Sequence, residues 1–506
     1  MPVRTVRGMT PPRADLGRRR LLAGAAGAVG AVALGALPAV AGPGAPRVVV
    51  VGAGLAGLSC ADLLHRRGIR ATVYEAHAHR VGGRCWSSYG WADGQVAEHG
   101  GEFIDTRHRH MQHLVRRFGL RLEDLYTTGA GGHGRLWLDG ALWLPRDLEA
   151  DHQVFRRRIR RLRDRIGPYT WPDAGPAAKA VDEMTALEVV DTYMPGGSSG
   201  LAGRRQQAFL ASFLGLDLDR LGGLAVVDNL DLAPGADERY HVAGGNQQIV
   251  QGLVDALPRG TIQRDAPLRR LVRRGDGTYA MRFGGIRAEV VADQVVLCLP
   301  FTTLRDVDLD GAGLSRHKRR SIEQLGMGTN AKVILQLAHR PQHYQNWTGY
   351  LRADRPTFDT WESSAAQRGT TSVLTVYLGG RSGAAGLPAD VVHEPTPGPV
   401  LERVVDSLTR HGRTHLRGLC EGVQQRSRID HWSRDRWTRG SYAAFLPGQY
   451  TRYAGFVGLA EGGIHFAGEH TAPLVDQGYL EGAVLTGVRA AREVLHAVGR
   501  RSRVTG

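Results

Sequence analysis

The run Arg47-Val48-Val49-Val50-Val51, followed at once by Gly52-Ala53-Gly54-Leu55-Ala56-Gly57, leaves this chain fewer choices than any other feature. A β-branched run without polar alternation is the pattern of a strand buried on both faces, which places it inside a parallel sheet. Apolar residues at Leu58, Ala61 and Leu64 then predict a helix. Between strand and helix the three glycines have separate tasks. Gly52 permits the tight turn, Gly54 lets backbone approach a pyrophosphate, and Gly57 lets helix pack on strand, with phosphate at the helix N-terminus. A second strand, Ala71-Thr72-Val73-Tyr74, ends in Glu75, whose carboxylate is placed to accept ribose hydroxyls. A doubly wound α/β domain that binds a dinucleotide is therefore expected.

At 506 residues the chain is too long for one ordinary hydrophobic core, so two or three domains are expected. Apolar residues at 42% and charged residues at 23% exclude disorder as the global state. The net charge of +16 comes from arginine: only Lys179, Lys318 and Lys332 are lysines among 65 basic residues. Those arginines are scattered along the chain, so no nucleic-acid face is expected. Cys60, Cys85, Cys298 and Cys420 show neither a C-x-x-C pair nor zinc spacing and read as free thiols. His108, His110 and His113 cluster without a cysteine or acid at ligand spacing, which predicts a solvated helix and no metal. Phe155, Ile159, Leu162 and Ile166 recur at helical spacing through an arginine-rich stretch, predicting a helix whose arginines stay in water.

Arg18-Arg19-Arg20 precede an Ala- and Gly-rich apolar run to Leu37, then Pro38 and Ala39-Val40-Ala41. This order predicts a twin-arginine export signal over 1–41, cleaved after Ala41, and hence a secreted or extracytoplasmic protein. Gly24, Gly27, Gly30 and Gly35 make the run a poor lipid-facing helix, so no stable membrane insertion is expected once it is removed.

Four further segments carry a resemblance. They are Arg80-Val81-Gly82-Gly83-Arg84, Glu98-His99-Gly100-Gly101-Glu102, Ile464-His465-Phe466-Ala467-Gly468-Glu469 and Gln477-Gly478-Tyr479-Leu480-Glu481-Gly482-Ala483. The first resembles the G-G-R segment of the flavin-containing monoamine oxidase family, and the second its passage from flavin ring to substrate cavity. The last two resemble its F-A-G-E and G-Y-x-E-G-A segments. Tyr240 to Asn246 is similar to the family's middle G-G motif, and Asp293 to Pro300 to the strand returning to its cofactor domain. The likeness runs from Val48 to about Ala491. In one departure, Glu75 and Arg84 stand nine residues apart where the family has one fewer, so a bulge is expected between them.

The resemblance implies an α/β fold: a Rossmann-type FAD-binding domain of discontinuous segments, 43–130, 235–310 and 435–500, with an α+β substrate-binding domain from 131–234 and 311–434. It implies FAD held by Gly52, Gly54, Ala56, Gly57, Glu75, Arg80, Gly82, Gly83, Arg84, Gly100, Gly101 and Glu102. Leu268 would lie against the adenine, Glu469 with Gly468 against the ribityl or phosphate part, and Gly478, Tyr479 and Leu480 at a helix start aimed at the flavin pyrimidine. Ser441 stands where some members carry the cysteine that bonds FAD, implying a non-covalent cofactor. Lys332 matches the family's flavin-facing lysine, which holds a water near flavin N5. Its scarcity supports this, since guanidinium cannot replace a compact ammonium that holds one water or sheds a proton. Tyr442 and Tyr479 fall on the two rings that flank the substrate amine, and Trp432 is a third aromatic, at the site or in packing.

The activity implied is oxidation of a small amine to an imine that water hydrolyses, with oxygen reduced to hydrogen peroxide. An L-amino-acid oxidase, a flavin desaturase or dehydrogenase with another acceptor, and a non-catalytic flavin-binding protein are the alternatives. Where many amino-acid oxidases place an arginine for the substrate carboxylate, this chain has Phe103, with Arg107 and Arg109 as substitutes outside the motif. Glu102 and Asp105 would favour a second ammonium, as in a polyamine, or else cap a helix. The natural substrate and the assembly stay open, a homodimer being one option.

Overall fold

The computed structural model describes residues 45–128, 133–230, 234–344, 347–385, 387–412 and 423–504, so residues 1–41, where an export signal is expected, and Cys420 lie outside the described residues. Strand Val48–Val51 stands at the centre of a five-stranded sheet ordered Ile464–Phe466, Gln294–Leu297, Val48–Val51, Ala71–Tyr74, Ile262–Gln263. Every neighbouring pair in it is parallel. Alternation of the valines explains the unbroken apolar run. Val49 and Val51 join a core with Tyr74, Leu297 and Phe466, whereas Val48 and Val50 join another with Leu58, Val73 and Val296. Each buried valine contributes about 1.5–3 kcal/mol relative to exposure.

Helix Leu55–Arg66 follows directly. A Cβ on Gly57 would lie 1.9 Å from the Gly52 carbonyl oxygen, so any side chain there would push the helix off its strand. From Ile262–Gln263 the chain passes through a three-stranded antiparallel sheet, Leu268–Arg273, Tyr279–Phe283 and Val290–Ala292, before returning at Gln294–Leu297. The sheet is completed only by Ile464–Phe466, after which the long helix Leu480–Val504 covers it beside Leu55–Arg66.

The intervening chain builds an eight-stranded mixed sheet: His393–Pro395, Val423–His431, Ala331–Leu337, Ser372–Leu378, Thr357–Glu362, Trp347–Asp354, His133–Leu138, Ala141–Trp143. Its register puts one residue from each of five adjacent strands in a row: Asp430, Lys332, Tyr377, Asp359, Arg352. Directly paired residues share a face, so this row lies on one face of the sheet.

Helix Glu149–Ile166 buries Phe155, Ile159, Leu162 and Ile166 and leaves Arg157, Arg158, Arg160 and Arg161 exposed, as the periodicity predicts. The histidine cluster differs from expectation. Only His113 is solvated; His108 is fully buried, its Nδ1 accepting from the Asp105 N–H at 2.8 Å, and His110 binds Glu481 at 2.8 Å. The reason is Glu481, which also accepts the backbone N–H groups of His110 and Met111 and so draws this helix start against helix Leu480–Val504. Cys60 and Cys85 are buried free thiols, and Cys298 is half-buried. Among the described residues no group of three or more His, Cys, Asp or Glu is placed to hold a metal, and no helix is long and apolar enough to cross a membrane.

Candidate active site

Every residue expected to hold the cofactor or flank the reacting amine, except Gly57, lines a single cavity of about 930 Å³, near the upper end of ligand-site volumes. Gly57 is set behind it, in helix packing. A Cβ on Gly54 would meet nothing within 4 Å, so the turn presents bare backbone to the cavity at the start of a 12-residue helix that has no side-chain cap. The Glu75 carboxylate accepts the Ala53 N–H at 2.7 Å and the His77 N–H at 2.8 Å. A carboxylate has about four acceptor sites, which leaves two for a ribose. Burial raises the Glu75 pKa against the pull of those N–H groups. Leu268 lines the cavity beside Pro267. These groups fit a dinucleotide such as FAD.

The spacing between Glu75 and Arg84 is taken up by a turn in which Gly82 and Gly83 have φ of 100° and 59°, and the Gly82 N–H donates to the Ala53 carbonyl at 2.8 Å. Arg80 donates to the Gly83 carbonyl and stacks 4.3 Å from the Trp86 ring centroid. Arg84 donates to the Ser441 carbonyl at 2.6 Å and to Glu469 at 2.9 Å. The other Glu469 oxygen accepts from Gly478 and Ala443 N–H groups. Glu469 therefore fixes the arginine and the turn that carries Tyr479. The buried Ser441 hydroxyl donates to Asn330 Oδ1 at 2.6 Å.

Lys332 is buried, and its three protons go to the Glu98 carbonyl at 2.9 Å, the Gly100 carbonyl at 2.8 Å and Glu102 Oε2 at 2.8 Å. An ammonium has three donors, so in this arrangement none is left for the water that the family resemblance implies. The lysine instead ties the Glu98–Glu102 segment to the sheet. Glu102 is correspondingly engaged: its second oxygen accepts the Trp361 indole N–H at 2.9 Å. It neither caps a helix nor is free for a second ammonium.

The rings assemble around this pair. The Tyr442 hydroxyl donates to the Phe213 carbonyl at 2.6 Å, so in its 2.9 Å contact with Tyr377 the Tyr377 hydroxyl is the donor. Trp361 lies 5.2 Å from Tyr377 and 5.3 Å from Phe103. Tyr479 meets the His108 ring edge-on at 4.9 Å, and burial lowers the His108 pKa to about 4, keeping that ring neutral. Trp432 also reaches the cavity, but its N–H is held by the His99 carbonyl at 2.8 Å and its ring packs on His393. Arg107 is bound to Asp476 at 2.6 Å and Arg109 is exposed on its helix; neither lines the cavity. Asp105 is buried behind the wall, accepting the Glu238 N–H at 2.8 Å.

Sequence reasoning missed Trp361, Tyr377, Glu238 and the pair Arg352–Asp359, all on the cavity wall. The pair is bidentate, at 2.8 and 2.5 Å. At alternate positions its strands carry Thr357, Asp359 and Trp361, and Thr348, Tyr350, Arg352 and Asp354, so that one face mixes polar and aromatic residues as a water-facing sheet does. That alternation was the available signal, since an aromatic-rich polar face can equally line a cavity.

Comparison with known proteins agrees in kind. The family model for flavin containing amine oxidoreductases matches residues 55–495. The chain is 26% identical to an L-glutamate oxidase precursor of Streptomyces viridosporus, over 88% of this chain and 85% of that one. It is 24% identical to amine oxidase [flavin-containing] A of Sus scrofa, over 90% and 86%. Among solved structures, putrescine oxidase bound to putrescine superposes with a TM-score of 0.75 at 20% identity, over 89% of this chain and 99% of that one. Cyclohexylamine oxidase from Brevibacterium oxydans does so with 0.76 at 20% identity, over 90% and 100%. Those two likenesses establish the shared fold.

Proposed function

Because the chain belongs to the flavin containing amine oxidoreductase family, we propose that its cavity oxidises a small amine at the carbon bearing nitrogen, with oxygen as acceptor and hydrogen peroxide as product. When bound, FAD supplies the two-electron chemistry, taking a hydride equivalent from that carbon. The observation that carries the reading is the buried Lys332–Glu102 pair on a cavity wall shared with Tyr377, Trp361, Tyr442 and Tyr479.

The aromatic walls exclude water and hold an amine by its attraction to their ring faces. The Tyr377–Tyr442–Phe213 hydrogen-bond chain fixes the rings in one orientation. Pairing with Glu102 leaves Lys332 without net repulsion toward an incoming cation, while its other two bonds set the backbone from Glu98 to Gly100. The imine product is hydrolysed by water to a carbonyl compound and ammonia or an amine.

Ser441 in place of a cysteine supports non-covalent FAD. The strand content of each sheet supports the division into 43–130, 235–310 and 435–500 for the cofactor and 131–234 and 311–434 for the substrate. Export by the twin-arginine route rests on residues 1–41 alone. A second reading, L-amino-acid oxidase, is favoured by the similarity to the L-glutamate oxidase precursor. Peroxide release from the purified holoenzyme, measured across alkylamines, diamines and L-amino acids, separates the two. Turnover of amines over amino acids is expected. Peroxide from amino acids alone would establish the second reading, and flavin bleaching without peroxide would point to another acceptor.

A further inference from the structure

The carboxylates on the cavity wall are not alike. Glu102 holds Lys332, Asp359 holds Arg352 and Asp435 holds His393. The others accept from guanidinium, hydroxyl or backbone N–H groups. Glu238 is the exception: among the described residues its side chain has neither a hydrogen-bond partner nor a cation in contact.

Glu238 is also placed deliberately. Its φ of 46° lies in the left-handed region, unusual for a residue with a side chain, and its N–H is anchored on the buried Asp105 carboxylate at 2.8 Å. Its side chain is exposed and lines the cavity, and the protein around that cavity still desolvates it. Its charge acts on Tyr377, Tyr442 and Tyr479, raising the pKa of each phenol further beyond the effect of burial. Glu238 is therefore within electrostatic reach of the rings that flank the reacting amine. Burial, with the charges of Asp105 and Asp359 and against that of Arg352, pushes its own carboxyl up to about 7. A carboxylate under that penalty is relieved by a cation.

We propose that Glu238 selects amines that carry a second cationic group, pairing with that group while the reacting amine lies at Tyr442 and Tyr479; this rests on the amine-oxidase reading of the site. The reacting nitrogen is a poor partner for Glu238. Oxidation needs its lone pair, and a carboxylate beside it would hold the proton on. An amino acid is disfavoured as well, because its carboxylate would meet Glu238 as a like charge and Arg352 is already held by both oxygens of Asp359.

The test compares 1,5-diaminopentane with pentylamine on the FAD-loaded enzyme, by calorimetric binding without oxygen and by peroxide release with it. In the wild type the diamine is expected to exceed the monoamine by about tenfold to a hundredfold in both affinity and kcat/KM, the scale of one hydrogen-bonded charge. Glu238→Gln is expected to collapse that ratio toward one. Equal values in the wild type, or a preference that survives Glu238→Gln, would overturn the assignment while leaving the oxidase reading intact. A Glu238-dependent binding preference with no turnover of any amine would support the assignment and sink the oxidase reading. Glu238→Asp gives a second measurement should the Gln variant fail to load FAD: its shorter reach should move the preferred diamine to a longer chain, and an unmoved optimum would overturn the proposal.

Discussion

Lysine usage separates two kinds of need at the residue scale. Lys179 is exposed, whereas Lys332 and Lys318 are both buried. Lys318 donates to the carbonyls of Phe456, Val457 and Leu459, lies 4.3 Å from the Phe466 ring centroid, and does not line the cavity. Scarcity thus marks places where only a compact ammonium fits, and a functional site is just one of them. Lys318→Arg should lower the melting temperature yet leave kcat/KM for the best amine unchanged, because the larger guanidinium cannot occupy a fully buried site. Lys332→Met should behave differently. It strands the buried Glu102 carboxylate at a cost of about 3–5 kcal/mol and slows turnover or reoxidation while FAD stays bound. Adding Glu102→Gln should recover most of the stability, read by thermal unfolding, without recovering turnover. Unchanged kinetics in Lys332→Met would remove Lys332 from the mechanism.

At the scale of elements, two strands of the eight-stranded sheet carry a buried chain of charge beside the cofactor cradle. Asp430 accepts from His99 and His393, each at 2.8 Å, and the other His393 nitrogen contacts Asp435 at 3.1 Å. Burial disfavours the charged His393 ring, but the hydrogen bonds from Asp430 and Asp435 outweigh it and raise the pKa above the ordinary 6.5. For Asp430, burial is likewise outweighed by His393 and His99, and the pKa falls below the ordinary 3.8. The raised histidine contributes stability that is full below pH 6.5 and lost as pH rises through its folded value. The depressed aspartate contributes stability that is full above pH 3.8 and lost as pH falls through its folded value. The destabilisation by Asp430→Asn should therefore be largest between those two pH values and shrink on either side, which denaturant unfolding at a series of pH values measures. This network was not legible in the sequence: sheet register pairs His393 with Asp430, His99 reaches them from the end of a separate two-stranded sheet, and none lies in a motif with the others. Lys332, Tyr442 and Tyr479 were legible because each stands in a local segment with its own turn or strand. Glu238 was not, since a loop acid without periodicity reads as solvated.

On the scale of the whole molecule, the pattern of the fold follows from the first strand. An unbroken valine run had to be covered on both faces, and both cores are present. What the run could not reveal was which distant strand would flank it, because a strand three residues long such as Ile464–Phe466 carries little pattern of its own. FAD occupying the cavity should stabilise the entire unit. At a free concentration one hundred times Kd the gain is about 2.7 kcal/mol, so the melting temperature of FAD-stripped protein should rise on adding FAD and plateau as sites fill. With Ser441 in the place of a bonding cysteine, denaturation should release all flavin into the supernatant. Fluorescence that stayed with the polypeptide on a denaturing gel would contradict this.

Placing Ile464–Phe466 beside Gln294–Leu297 has a consequence in time as well as in space. Synthesis runs from the N-terminus, so the edge of Gln294–Leu297 stays open until nearly the whole chain has been made. An open parallel edge is a template for pairing with other chains. A ribosome that pauses before Ile464 would therefore carry a nascent chain with an unfilled sheet position, which a chaperone must hold until the last strand is made.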